Sequence, residues 1–200
     1  MVRLLGACGL AVALFHAPVR AQVIEFESNG QKYQTLTKSG VTIIYTHLPN
    51  HLHEYAVVHV AISNGSTSSY VVRPEDFNYV HTAGASIRAA TAQTVVNMLM
   101  QKGNAGDVVR LVTAYEASVY GNTHYKATNG FEQRRQAALA FGGTKLKAAA
   151  AASVLALGTT KLEPGDSSDG AVFFPNDGKP LTGGKLVVRT NTDVFEFNAE

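Results

Sequence analysis

Three histidines lie within seven residues of one another, and imidazole nitrogens at such spacing could bind zinc or copper. His51 and His53 are two residues apart, so on an extended strand their side chains share a face at a separation of about 7 Å. His47 could return to them across the turn Leu48-Pro49-Asn50 and complete a three-nitrogen site. His59 lies about 20 Å further along an extended chain, too far to share the metal. The competing interpretation is that all are ordinary, half-exposed histidines beside a loop.

The other side chains that could do chemistry occur in patterns that do not form an active site. The serines lie in turn sequences, where serine is common for backbone reasons, and the chain has no Gly-x-Ser-x-Gly or phosphate-binding loop. Glu75 and Asp76 are adjacent, so on a strand they project to opposite faces and cannot flank one glycosidic bond. Asp166, Asp169 and Asp177 lack the spacing of an EF-hand calcium loop. We therefore predict a protein that is not an enzyme and has no cofactor.

Aromatic and arginine side chains of the kind enriched at protein interfaces concentrate in one stretch of the chain. The candidate interface residues are Tyr120, His124, Tyr125, Arg134 and Arg135. In the same stretch, Tyr115 and Phe131 fit the apolar faces of helices, and we expect them to pack those helices together.

Charge is unevenly distributed along the chain. Residues 91–157 hold seven basic and three acidic side chains, an excess of four positive charges. The rest of the chain after residue 21 has an excess of four negative charges. The near-neutral total argues against a nucleic-acid partner, which would favour a basic stripe. The basic segment either packs on or near an acidic scaffold or forms an exposed surface for an anionic envelope component or an acidic protein.

The N-terminus has the pattern of an export signal. Arg3 precedes an apolar run from Leu4 to Phe15, and Ala21 ends a sequence suited to signal peptidase, so residues 1–21 are predicted to be removed. The mature protein would begin at Gln22 and work in the periplasm or outside a bacterial cell. Cys8 follows a lipobox-like sequence, but the preceding apolar segment is too short, so lipidation there requires an upstream start codon.

The strands and helices that must position these residues can be predicted from the spacing of apolar side chains along the chain. Residues 23 to about 90 show the two-residue alternation of strands, including an Asn29-Gly30 hairpin and a strand over 54–63 with alternate apolar residues. The spacing then predicts three helices within about 91–157, the second capped by Asp107 and the third by Asn129. The third is expected to break at Gly142-Gly143 and to resume at Lys145. Strands return at 170–174, 185–189 and 194–197. No stretch is a transmembrane span, because the apolar run at 148–157 is only ten residues long.

Strands on both sides of a helical block indicate one domain rather than two. We predict that residues 22–200 form a single, mainly β domain, an antiparallel β-sandwich with a helical insertion at 90–157. The mature chain contains no cysteine, so its fold depends on a hydrophobic core and not on disulfides.

Two segments resemble the bacterial extracellular Ig-like domains of the telokin-like kind. Residues 54–66, EYAVVHVAISNGS, resemble that family's strand and Asn-x-Ser turn, and residues 162–174, LEPGDSSDGAVFF, resemble its Pro-Gly turn followed by a core strand. The resemblance covers about residues 41–90 and 159–198 and does not include the helical segment. It implies an Ig-like sandwich and an extracytoplasmic setting, and it implies no chemistry.

These observations predict a secreted or periplasmic, non-catalytic module for binding or assembly that contacts another envelope or extracellular protein through its helical insertion. One alternative is an extracytoplasmic metal-binding protein or small enzyme that uses His47, His51 and His53. A second is an accessory subunit of an envelope complex. The insertion itself is either an appendage to a closed sandwich or a cover for an open face of the sheet.

Overall fold

A computed structural model describes residues 22–49, 51–121, 130–140 and 142–199. This part of the chain is mainly β, with antiparallel sheets and four α-helices. The strands are β1 (Ile24–Ser28), β2 (Gln31–Lys38), β3 (Val41–His47), β4 (Tyr55–Asn64), β5 (Tyr70–Val72), β6 (Phe77–His81), β7 (Ser86–Arg88), β8 (Thr160–Leu162), β9 (Ser167–Pro175), β10 (Gly184–Arg189) and β11 (Val194–Ala199). The helices are α1 (Ala92–Lys102), α2 (Ala105–Gly121), α3 (Phe131–Leu139) and α4 (Thr144–Leu155).

The strands form a five-stranded sheet, β1-β2-β3-β4-β9, a four-stranded sheet, β11-β10-β6-β7, and a short β5-β8 pair. The first hairpin turns at Asn29 and Gly30, whose φ angles of 51° and 74° are those of a type I′ turn. The sequence therefore predicted this hairpin correctly. It did not predict β8, which is three residues long and is stabilised by pairing with the distant β5.

Strand β4 lies inside the molecule and has apolar residues on both faces. Val58, Val60 and Ile62 face the core that the five-stranded sheet shares with the four-stranded sheet. Tyr55 and Val57, on the opposite face, belong to a second core formed with α1, α2 and α4. The alternation expected for this strand is correct, and both of its faces are buried.

The helices therefore form a layer on the five-stranded sheet and are not an appendage. Val95 and Leu99 of α1 and Leu111 of α2 are buried in the second core together with Phe173 of β9. A run of alanines in α4 is also buried there, and such small side chains let helices approach closely. Of the two possibilities left open by the sequence, the structure has the helices covering a face of the sheet.

Two details of the helical segment differ from expectation. Three helices were expected and four are present, because the break expected at Gly142-Gly143 separates α3 from α4, which starts at Thr144. The residue that caps α2 is Asn104 and not Asp107, which lies inside the first turn. The other predicted cap, Asn129, lies outside the described residues.

The predicted signal segment, 1–21, with Cys8 and the cleavage site, also lies outside the described residues, so export stays a prediction. Among the helices that are described, none has the length and apolar character needed to cross a membrane.

Candidate functional site

The three histidines of the predicted metal site occupy different environments. His51 is exposed, while His47 is half-buried with its ring edge-on to Tyr45 at 5.5 Å between ring centroids. The Nε2 of His53 lies 3.0 Å from a carboxylate oxygen of Asp107. Within the described ranges, no three histidine, cysteine, aspartate or glutamate side chains are grouped so that they could hold a metal ion. The histidines are therefore not brought together into one site there.

His53 instead connects the β3–β4 turn to the start of α2. Asp107 is buried, and its carboxylate accepts a hydrogen bond of 2.8 Å from the backbone N–H of Asn104. The Asn104 side chain accepts one from the backbone N–H of Asp107 at 3.2 Å, which completes a reciprocal cap of the helix. A carboxylate near a helix N-terminus also interacts favourably with the helix dipole. The pair with His53 therefore stabilises the packing of α2 against the turn.

A second polar cluster lies between the helices and the five-stranded sheet. The Nε2 of His59 on β4 is 3.2 Å from Oδ2 of Asp169 on β9, and the hydroxyl of Tyr115 on α2 donates to the same oxygen. The Tyr115 ring is also edge-on to the His59 ring, with 5.0 Å between centroids. Each residue is at most 5% exposed. We call these three residues the interlayer cluster.

The interlayer cluster was not predicted from the sequence. His59 was judged too distant from the other histidines, Asp169 was considered only for calcium, and Tyr115 was expected to pack by apolar contact alone. The available signal was a single histidine within an apolar strand face, because a buried imidazole needs a hydrogen-bonding partner. The cluster contains a carboxylate, an imidazole and a phenol, yet all three are enclosed by sheet and helices. Its geometry suits it to positioning α2 on the sheet.

The predicted interface residues differ in their exposure, and the structure describes only some of their side chains. Arg134 is exposed, whereas Arg135 is half-buried and its Nε lies 2.5 Å from a carboxylate oxygen of Glu116. The backbone of Tyr120 belongs to α2, and nothing is described of its side chain. His124 and Tyr125 lie outside the described residues.

The outer face of the helical layer is basic. Four exposed cations there form no ion pair with any described residue, and they are Lys102, Arg110, Arg134 and Lys145. Two of the three acidic residues in the segment are already engaged, Asp107 with His53 and Glu116 with Arg135. Exposed apolar side chains accompany the cations, namely Met100, Val109 and Leu146. The helical layer therefore presents both positive charge and apolar area to solvent.

Two of these cations belong to the same corner of the layer. Gly103 ends α1 and packs against α4 so closely that a Cβ at this position would lie 3.1 Å from the Cβ of Ala148. Lys102 adjoins Gly103, and Lys145 lies one turn before Ala148 on α4. The C-terminal end of α1 and the N-terminal part of α4, which carry these two lysines, therefore pack against each other. Leu146 is exposed beside them.

Comparison with known proteins identifies no family. No protein family matches the sequence, and no curated protein matches it. Among solved structures, the yjhA protein from Bacillus subtilis matches with a TM-score of 0.36 and 10% sequence identity, over 88% of this chain and 96% of that chain. Similarity at this level carries no argument about fold or function.

Proposed function

We propose that this protein is an extracytoplasmic, non-catalytic binding module that contacts an acidic partner protein of the envelope through the outer face of its helical layer. The observation that carries this proposal is the basic outer face of helices whose inner face is fully used in packing. Unpaired cations around exposed apolar side chains suit a partner with carboxylates around an apolar patch, because such complementarity speeds association and fixes orientation.

We further propose that the two main sheets are arranged as in an Ig-like domain. The two segments that resemble the telokin-like family contact each other in the structure. The side chain of Asn64 donates to the backbone carbonyl of Leu162 at 3.0 Å, and the backbone N–H of Gly165 donates to the carbonyl of Asn64 at 2.7 Å. The turn after β4 and the Pro-Gly turn thus stabilise one another, and this contact supports the proposal.

The helical face can be tested by reversing its charge. We would capture partners from an envelope extract on the full-length protein, identify the retained acidic protein, and measure its affinity for each variant. Lys102→Glu with Lys145→Glu should weaken that affinity by at least about tenfold, because two attractive contacts become repulsive. Arg189→Glu is the control, since Arg189 is exposed on β10 of the four-stranded sheet, on the other side of the five-stranded sheet from the helices.

Affinity of the control should equal that of the unaltered protein, and binding should weaken as salt is raised. Equal retention of the acidic protein by the charge-reversed variant would contradict the proposed surface. Failure to retain any acidic protein from the extract would contradict the proposed partner class.

A further inference from the structure

The sequence contains three Asn-Gly pairs, and such pairs can lose ammonia without an enzyme. They are Asn29-Gly30, Asn64-Gly65 and Asn129-Gly130. In this reaction the backbone nitrogen of the glycine attacks Cγ of the asparagine, the new C–N bond closes a five-membered succinimide, and the side-chain nitrogen leaves as ammonia. Glycine favours the attack because it has no Cβ to hinder the approach. Asn129 lies outside the described residues, so the structure distinguishes the first two pairs.

The pair Asn64-Gly65 is held in an unreactive arrangement. The Asn64 side chain is fully buried, and its Nδ2 donates to the backbone carbonyls of Ser68 and Leu162 at 2.8 and 3.0 Å. Its Oδ1 accepts further hydrogen bonds from within the turn. The attacking group is engaged as well, because the N–H of Gly65 donates to the carbonyl of Gly40 at 2.9 Å. Reaction at Asn64 therefore requires local unfolding of this turn.

The pair Asn29-Gly30 has none of these restraints. Both residues are exposed in the turn between β1 and β2. No described residue forms a hydrogen bond with the Asn29 side chain or accepts one from the backbone N–H of Gly30. A Cβ built at Gly30 would have no described atom within 4 Å, so the loop is surrounded by open space. The two reacting groups meet when this loop rearranges, and no side-chain contact opposes that movement.

We propose that Asn29 is a site of spontaneous deamidation and that the reaction loosens β1. Water opens the succinimide at either of its carbonyls, which leaves aspartate or isoaspartate in place of Asn29. Isoaspartate carries the main chain through its Cβ, so the backbone becomes one carbon atom longer. The two-residue turn sets the register in which Ser28 pairs with Gln31, and a longer turn does not fit that register.

Strand β1 is weakly held apart from this pairing. It is the outermost strand of the five-stranded sheet, and among the described strands it pairs only with β2. Ile24, Glu25 and Glu27 are exposed, so apolar packing of β1 depends mainly on Phe26, whose ring stacks on Tyr33. Strand β2 has a second partner in β3 and keeps it when the turn changes. Isoaspartate should therefore loosen β1 and leave the rest of the sheet in place.

Peptide mapping by mass spectrometry tests the reaction at each asparagine separately. Trypsin places Asn29 and Asn64 in different peptides, because Lys32 and Lys38 lie between them. During incubation of the folded, full-length protein in mildly alkaline buffer, Asn29 should deamidate at least about tenfold faster than Asn64, which must first unfold locally. In concentrated urea the two rates should become similar, because both residues precede glycine and only the fold protects Asn64.

Hydrogen exchange measures the consequence for the sheet. The isoaspartate form, separated by chromatography, should exchange the amide protons of β1 faster than the unaltered protein, with those of β3 and β4 unchanged. Asn29→Gly is the matched control, because a Gly-Gly pair adopts the same turn and has no side chain that can react. After the same incubation, β1 of this variant should be as well protected as before.

The proposal is wrong if Asn29 stays unmodified in the folded protein, or if Asn64 deamidates there as fast as Asn29 does. Equal protection of β1 in the isoaspartate form and in the unaltered protein would contradict the loosening of the strand. Neither measurement needs a binding partner, so this test is independent of the proposed function.

Discussion

Two buried tyrosines, Tyr33 and Tyr79, differ in what their hydroxyl groups contact. Tyr33 donates to the backbone carbonyl of Ser118 in α2 at 3.0 Å. The hydroxyl of Tyr79, in the core between the two main sheets, has no hydrogen-bond partner in the described part of the chain. Burial raises the pKa of both phenols above the ordinary tyrosine value, so each is neutral at physiological pH. Both side chains thus carry a buried hydroxyl group, which is hydrogen-bonded in Tyr33 and has no hydrogen-bond partner among the described residues in Tyr79.

Removing these hydroxyl groups should therefore have opposite effects on stability. Tyr33→Phe leaves the Ser118 carbonyl without its donor and should lower the free energy of unfolding by about 1 kcal/mol. Tyr79→Phe removes a buried polar atom that makes no hydrogen bond and should raise it by up to about 1 kcal/mol. Urea denaturation of both variants measures the difference. Destabilisation of the protein by Tyr79→Phe would show that its hydroxyl has a partner.

At the scale of elements, α2 is held on the sheet by polar contacts as well as by apolar packing. His53 and Asp107 join its N-terminal turn to the β3–β4 connection, and the interlayer cluster joins its middle to β4 and β9. Tyr33 contacts its C-terminal part. Directional contacts at three points along one helix define its position on the sheet more narrowly than apolar packing alone.

The interlayer cluster should behave as a coupled unit. Tyr115→Phe removes a hydrogen bond to a buried carboxylate and should lower the free energy of unfolding by about 1.5–3 kcal/mol. In a double-mutant cycle with Asp169→Asn, the effects should be non-additive by at least about 0.5 kcal/mol, because the two side chains interact directly. A cycle of Tyr115→Phe with the remote Glu75→Gln is the control and should be additive. Additivity in the first cycle would show that the hydroxyl and carboxylate are not coupled.

At the scale of the whole molecule, the five-stranded sheet is the middle of three layers. The four-stranded sheet covers one of its faces and the helices cover the other. Tyr55, Val57 and Phe173 are each at most 6% exposed because the helices lie over them. The helical segment is therefore part of the folded core, and its outer face is the part exposed to solvent.

Replacing residues 91–157 with a short Gly/Ser linker should unfold the protein. The entropy of loop closure changes little, but the deletion exposes the apolar face of β4 and β9 to water. Circular dichroism should show loss of the strand signal together with the helical signal, accompanied by aggregation. Val109→Ser, at an exposed position of α2, is the control and should leave the spectrum unchanged. A soluble deletion variant with an intact strand spectrum would show that the sheets are stable without the helices.

Local patterns in the sequence determined most of the strands and the first hairpin. The Asn29-Gly30 turn and the alternation along β4 depend on neighbouring residues alone, because backbone conformation and side-chain direction repeat within a few positions. The helical period of 91–157 was also readable, and so was the break at Gly142 and Gly143, although the parts on either side of it were counted as one helix. The export signal is likewise a local pattern, and it stays a prediction because residues 1–21 lie outside the described part of the chain.

Tertiary structure alone decided where these elements meet. His59, Tyr115 and Asp169 are far apart in sequence, and only the packing of α2 on β4 and β9 makes them one cluster. The same packing decided that the helices cover the sheet, and the pairing of β5 with β8 decided that residues 160–162 are a strand. Periodicity reports which side of an element is apolar but not which element covers it. That choice depends on the fit between distant surfaces, which no local pattern encodes.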